Sequence, residues 1–268
     1  MSRKNSLLLF SLYTLLLSFS SEQSFDYKNG GQDWSGLCKE GKTQSPIDIQ
    51  TSSTKVFGST YFYLISSNEN NFTVTNNSNE YSIQSDNLGD IFFYIPDSTG
   101  SKNNQYSDYI VRNINIHAPS EHSINGKYFD LEIQILAVFN YGQTNYSYQV
   151  LSLLCSVDQE GSETESFFQN ILENQHSLNI NSLVFQDQTN FKTFIYEGSL
   201  TVPPCTENVI WFIRKTPYKI SLKYLQAFRE KWENNAQFAD GRGNNRQIQS
   251  LNDRMIYSND GQNFKNLK

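Results

Sequence analysis

The stretch Asn113-Ile114-Asn115-Ile116-His117 sets a polar residue at every second position. Residues two apart on a β-strand point to the same side, so Asn113, Asn115 and His117 line one face of a strand. A second run, Leu131-Glu132-Ile133-Gln134-Ile135-Leu136, places Glu132 and Gln134 on one face of the next long strand. If the two strands are neighbours, Asn115, His117 and Gln134 converge. Short alternating runs at residues 60–65, 72–75 and 90–95 are separated by Asn, Ser, Asp and Gly, and they read as strands joined by turns. Further strands are expected over residues 109–117, 129–140 and 147–157. Two helices are expected. In residues 165–175 the apolar residues Phe167, Phe168, Ile171 and Leu172 recur at helical spacing. In residues 221–233 Leu222, Leu225, Phe228 and Trp232 form a stripe, with Ser221 as N-cap. The chain therefore reads as one mainly β domain with a few surface helices.

No internal repeat or long linker divides the 268 residues, and 14% aromatic content fits a packed core rather than disorder. Arg3 and Lys4, the apolar run Leu7 to Leu17 and the small-x-small triplet Ser18-Phe19-Ser20 have the form of a secretory signal. That run is short for a bilayer span. Residues 1–20 are thus expected to be a signal peptide and residues 21–268 the mature domain, secreted or lumenal, with no membrane span after cleavage. Losing Arg3 and Lys4 takes the formal charge from −6 to −8, which disfavours nucleic acid as a partner. Sequons at Asn71, Asn76 and Asn145 fit a glycosylated chain. Cys38 and Cys205 lie beside turn-forming residues, whereas Cys155 ends the apolar run Val150 to Leu154. The expected disulfide is Cys38–Cys205, with Cys155 a buried small hydrophobe.

A His-x-His pair with a third histidine on the adjacent strand is how a sheet builds a catalytic zinc site with an open position for water. The metal lowers the pKa of that water to about 7. Four ordered segments carry a resemblance to the α-class carbonic anhydrases, a fold centred on a large mixed sheet. They are Gln44-Ser45-Pro46-Ile47, His117-Ala118-Pro119-Ser120-Glu121-His122 with Asn125-Gly126, Gly198-Ser199-Leu200-Thr201-Val202-Pro203-Pro204-Cys205 with Trp211, and Asn244 to Arg254.

The resemblance puts the family's first zinc histidine on Asn115, the second on His117 and the third on Gln134. Its proton-shuttle histidine falls near Tyr81. Glu121 and Thr201 match the hydrogen-bonded pair that orients the zinc-bound hydroxide. Leu200, Val202 and Trp211 match the apolar pocket wall, and Glu132 matches the acidic partner of the third histidine, here deprived of the group it would orient. His122 resembles a structural histidine bonded in the core. Carboxamides are harder, neutral ligands ill suited to zinc, so no catalytic residue, metal or cofactor is expected to be in use. The sequence is expected to be a secreted carbonic-anhydrase-like protein without carbon dioxide hydration. It would be a binding or structural module, similar to the carbonic-anhydrase-related members, some of which contact protein or glycan partners. The alternative is an active zinc-dependent enzyme of reversible carbon dioxide hydration with an atypical metal site. A third is a calcium or magnesium site on Asn115, Gln134 and Glu132.

Overall fold

The computed structural model describes residues 25–56, 61–65, 72–76, 81–94, 107–139, 148–158, 165–173, 178, 180, 183, 192–233 and 243–259. The expected signal peptide, Asn71 and Asn145 lie outside them. Asn76 ends the strand Thr73–Asn76.

Six strands build the centre of a twelve-stranded mixed sheet: β1 (Tyr81–Gln84), β2 (Ser107–His117), β3 (Leu131–Phe139), β4 (Tyr148–Asp158), β5 (Thr193–Ser199) and β6 (Glu207–Arg214). Their spatial order is β5-β6-β4-β3-β2-β1, continued by Tyr257–Asn259 and Lys55–Val56 beyond β5 and by Thr73–Asn76 beyond β1. The β1–β4 run is antiparallel, whereas β4 and β6 pair in parallel. The sequence reading did not foresee β1, β5 or β6 as strands.

β4 lies between two neighbours and is buried on both faces, which accounts for its near-continuous apolar run. Val150 and Leu154 join a cluster with Tyr196, Val209 and Trp211 on one side of the sheet. Leu151, Leu153 and Cys155 join the opposite cluster, with Ile114, Ile116, Ile133 and Ile135. Two helices cover that second side, α1 (Glu165–Leu172) and α2 (Leu222–Glu233). Phe168 of α1 meets Phe228 of α2 edge to face at 5.6 Å and stacks on Tyr224 at 5.7 Å. Leu222, expected in the apolar stripe, is exposed, and Tyr224 takes the inward place beside Leu225 and Phe228.

The disulfide expected from turn context forms between Cys38 and Cys205, Cα atoms 5.0 Å apart and 167 residues apart in sequence. Closing so long a loop is worth about 5 kcal/mol in the chain-entropy description. It ties the N-terminal segment holding Tyr27 and Trp34 to the turn after β5.

Candidate functional site

Strand register decides which side chains meet. Gln134 lies opposite Asn115 on β2 and opposite Ser152 on β4, and Asn115 lies opposite Ser82 on β1. Paired residues share a face, so a polar row crosses four strands on the side away from the helices. One step along, Tyr81 lies opposite Ile116, and Ile116 opposite Ile133. Tyr81, which the sequence places near a proton relay, therefore sends its ring to the helix-covered side. There it meets Phe228 at 5.0 Å and its hydroxyl donates to the Ile171 carbonyl at 3.4 Å. Burial pushes this phenol up to about 12. Tyr81 still borders the cavity, while Ser82 takes the face shared with Asn115.

Above the polar row is a cavity of about 200 Å³. Asn113, Asn115, His117 and Gln134 make its floor, with Thr201 at its edge. Its walls are Leu136, Val150, Leu200, Val202 and Trp211. The indole N–H of Trp211 donates to the Ser199 carbonyl at 2.9 Å, which holds the ring against the cavity. Leu136, Val150 and Asn113 were not singled out as site residues; their parity on β3, β4 and β2 was the available signal.

His117 is oriented by Asn244. Its Nδ1–H donates to the Asn244 carbonyl at 2.7 Å, because a carbonyl can only accept. Nε2 is left as a bare lone pair in the cavity floor. Asn244 also accepts from the Ala118 N–H at 2.9 Å and donates to the Ile116 carbonyl at 2.8 Å, clamping the end of β2. Gly243 makes that approach possible. It has φ +107°, and a Cβ there would collide with the Ala118 carbonyl. No local pattern in the sequence signals this clamp, since the partners lie 127 residues apart.

Gln134 does not present itself as a ligand. Its Nε2 donates to Glu121 Oε2 at 2.7 Å and to Glu132 Oε1 at 3.2 Å. Two carboxylates admit only the NH₂ end, so the amide orientation follows from its neighbours. Its Oε1 accepts a long bond from the Thr201 hydroxyl at 3.5 Å. The pairing of Thr201 with Glu121 that the resemblance implies is thus replaced by a relay through Gln134. Glu121 takes its other bond from the Arg246 N–H at 2.9 Å.

Glu132 is not deprived of partners. Oε1 accepts from His122 Nδ1 at 2.8 Å and Ser152 Oγ at 2.8 Å as well as from Gln134. Oε2 accepts from the N–H groups of Glu121 and His122, each at 2.9 Å. Burial alone would raise this carboxyl, but the charge and hydrogen bonds of His122 outweigh it and bring it down to about 2. The network continues outward. His122 Nε2 lies 2.7 Å from the Tyr196 hydroxyl, which lies 2.7 Å from Ser45 Oγ, and Ser45 Oγ accepts from the Ser199 N–H. A Cβ at Gly198 would fall on Ser45 Oγ, so that glycine is a condition of the network.

The floor does not fit zinc. It offers one imidazole nitrogen and neutral carboxamide oxygens, whereas zinc sites are built from thiolate, imidazole and carboxylate. His122, the other described histidine, has both ring nitrogens engaged. Calcium fares no better, since it takes six to eight oxygens and Glu132 is filled by five donors. The free thiol of Cys155 is buried on the helix-covered side, and burial raises it far above its ordinary range.

Residues 29–260 match the profile of the eukaryotic-type carbonic anhydrase family. Alpha carbonic anhydrase 7 of Arabidopsis thaliana is 25% identical over 276 residues, covering 93% of each chain. Dioscorin dioA3 of Dioscorea japonica is 28% identical over 248 residues, 85% of this chain and 86% of its own. Carbonic anhydrase Cah3 of Chlamydomonas reinhardtii, solved with acetazolamide, shares the fold with a TM-score of 0.71 at 23% identity, covering 85% of this chain and 95% of its own.

Proposed function

Because the chain belongs to the eukaryotic-type carbonic anhydrase family, we propose that it keeps the family's scaffold without its hydration chemistry and serves as a binding module. The observation that carries this reading is the engagement of Gln134. Its amide is held by Glu121, Glu132 and Thr201, and with Asn115 beside it the floor retains a single imidazole, His117. Losing one supporting partner of a zinc ligand costs about 10–100-fold in affinity, and here two ligand nitrogens are replaced. The Cys38–Cys205 disulfide suits an oxidising compartment. That supports the secretory route proposed for residues 1–20, with a protein or glycan partner met outside the cell. Among the described residues no helix is long and apolar enough to cross a membrane.

Metal analysis and stopped-flow hydration on the dialysed protein test the reading. The expected result is less than about a tenth of a zinc per chain and no hydration above the uncatalysed rate. One zinc per chain with chelator-sensitive hydration would instead establish the active, atypical enzyme. In the same assay the double change Asn115→His with Gln134→His is expected to create zinc binding. If the doubly changed protein folds and takes up no zinc, the register of β2 against β3 is wrong.

A further inference from the structure

Three atoms of the cavity floor, Asn113 Oδ1, Asn115 Oδ1 and His117 Nε2, are buried without a hydrogen-bond partner. All three are acceptors as placed. His117 is only 3% exposed, and its tautomer is set by Asn244, so Nε2 keeps its lone pair toward the cavity. Two of the neighbouring donors are spent, the Gln134 amide on two carboxylates and the Thr201 hydroxyl on Gln134, and Tyr27 also lines the cavity. A buried acceptor left unpaired is unfavourable, and two on adjacent same-face positions define a place for a donor.

The local charge has the same sense. Among the described residues the cavity lining contains no Lys, Arg, Asp or Glu. Directly beneath lie the buried carboxylates of Glu121 and Glu132. The buried cation nearby, Arg246, directs its terminal N–H groups to Gln44, Ser45 and Cys38, away from the floor. Where a zinc site would present a divalent cation to an anionic guest, this floor presents lone pairs above two carboxylates. The preferred sign of the guest is reversed.

We propose that this pocket binds a small primary ammonium ion, its N–H groups donating to His117 Nε2 and Asn115 Oδ1 and its short apolar body lying against Leu136, Val150, Leu200 and Trp211. An –NH₃⁺ group has three donors and no acceptor, the complement of a floor with open acceptors. The oxygen of Thr201 keeps lone pairs for the third N–H. At about 200 Å³ the cavity lies below the range of about 300–1,000 Å³ usual for drug-sized ligands, so the body is a few carbons long. The inference names the ligand class of the binding module and rests on that reading.

An NMR titration of the intact protein in the presence of a chelator tests it, with n-propylammonium, 1-propanol and propanoate compared at one ionic strength. The side-chain resonances of His117 and Asn115 should shift with n-propylammonium, which should bind about tenfold or more tightly than either other probe. Each such factor corresponds to the loss of a charge-assisted hydrogen bond. Asn115→Leu should weaken n-propylammonium about tenfold and Asn115→Asp should strengthen it about tenfold, with melting temperatures checked for both. The titration of the unchanged protein decides the matter if a variant does not fold. Equal binding of 1-propanol would reduce the pocket to an apolar slot, tighter propanoate would make it an anion site, and no response to any probe would leave it a water-filled cleft; each overturns the proposal. Zinc content of the dialysed protein, measured before chelator is added, separates the two readings. One zinc per chain sinks the binding-module reading, whereas zinc-free protein indifferent to n-propylammonium sinks the ammonium site alone.

Discussion

Two tiers of the same site behave in opposite ways. The lower tier, Glu121, Glu132, His122, Tyr196 and Ser45, is buried and its hydrogen bonds close on one another from β3 to the N-terminal segment. The upper tier, Asn113, Asn115 and His117, keeps buried acceptors with no partner. A saturated buried network stabilises the fold it belongs to, and an unsatisfied one costs stability and is open to a ligand. The difference teaches that buried carboxylates keep full hydrogen bonding when an amide meets them in place of an imidazole. Here that amide is the Gln134 side chain.

The contrast is broken most severely from below. Glu132→Ala leaves five donors unpaired in the interior and is expected to cost about 3–5 kcal/mol, read as a fall in the denaturant midpoint. A loss under about 1 kcal/mol would mean that the lower tier is not the stabilising one. Acid probes the same carboxylate. Its folded value of about 2 lies below its ordinary 4.5, so its contribution is complete above pH 4.5 and is lost as the pH falls toward 2. Unfolding curves collected across that interval should show the loss in the unchanged protein.

Next in size is Cys38→Ser, expected to cost about 2–5 kcal/mol while leaving the floor and its ligand preference in place. Melting that is insensitive to reductant would remove the disulfide from the account. The smallest effect belongs to the upper tier. Asn115→Leu removes an unpaired buried acceptor and is expected to change stability by less than about 1 kcal/mol, in either direction. A collapse of the fold on this change would show that Asn115 is part of the structural network, and the two tiers would merge.

Several features were legible in residue order. The period of two over Asn113 to His117 and Leu131 to Leu136 set the inward parity of both strands, and the observed pairing of Gln134 with Asn115 has that parity. The helical spacing of Phe167, Phe168 and Ile171 found α1. The turn context of Cys38 and Cys205 found the disulfide. β5 and β6 escape a period-of-two reading because Phe194 to Tyr196 and Val209 to Ile213 are continuous, largely buried apolar runs. The direction of the Tyr81 ring was not legible, because a single-residue shift in register exchanges the two faces of a strand. Leu222 was misplaced because an apolar stripe on paper is wider than the face that a neighbouring helix covers.

Residue order by itself determined the polar row on β2 and β3 and the absence of two imidazoles from it, since these depend on side-chain identity and on a period set by backbone geometry. Only the tertiary structure decided that Gln134 turns its amide to Glu121 and Glu132, and that Asn244 sets the tautomer of His117. The same is true of the bare acceptors left facing the cavity. The Asn244 contact spans 127 residues and the Gln134 contacts only 13 and 2, yet in each case hydrogen bonding in the interior is allotted by proximity in space, which distance along the chain does not give.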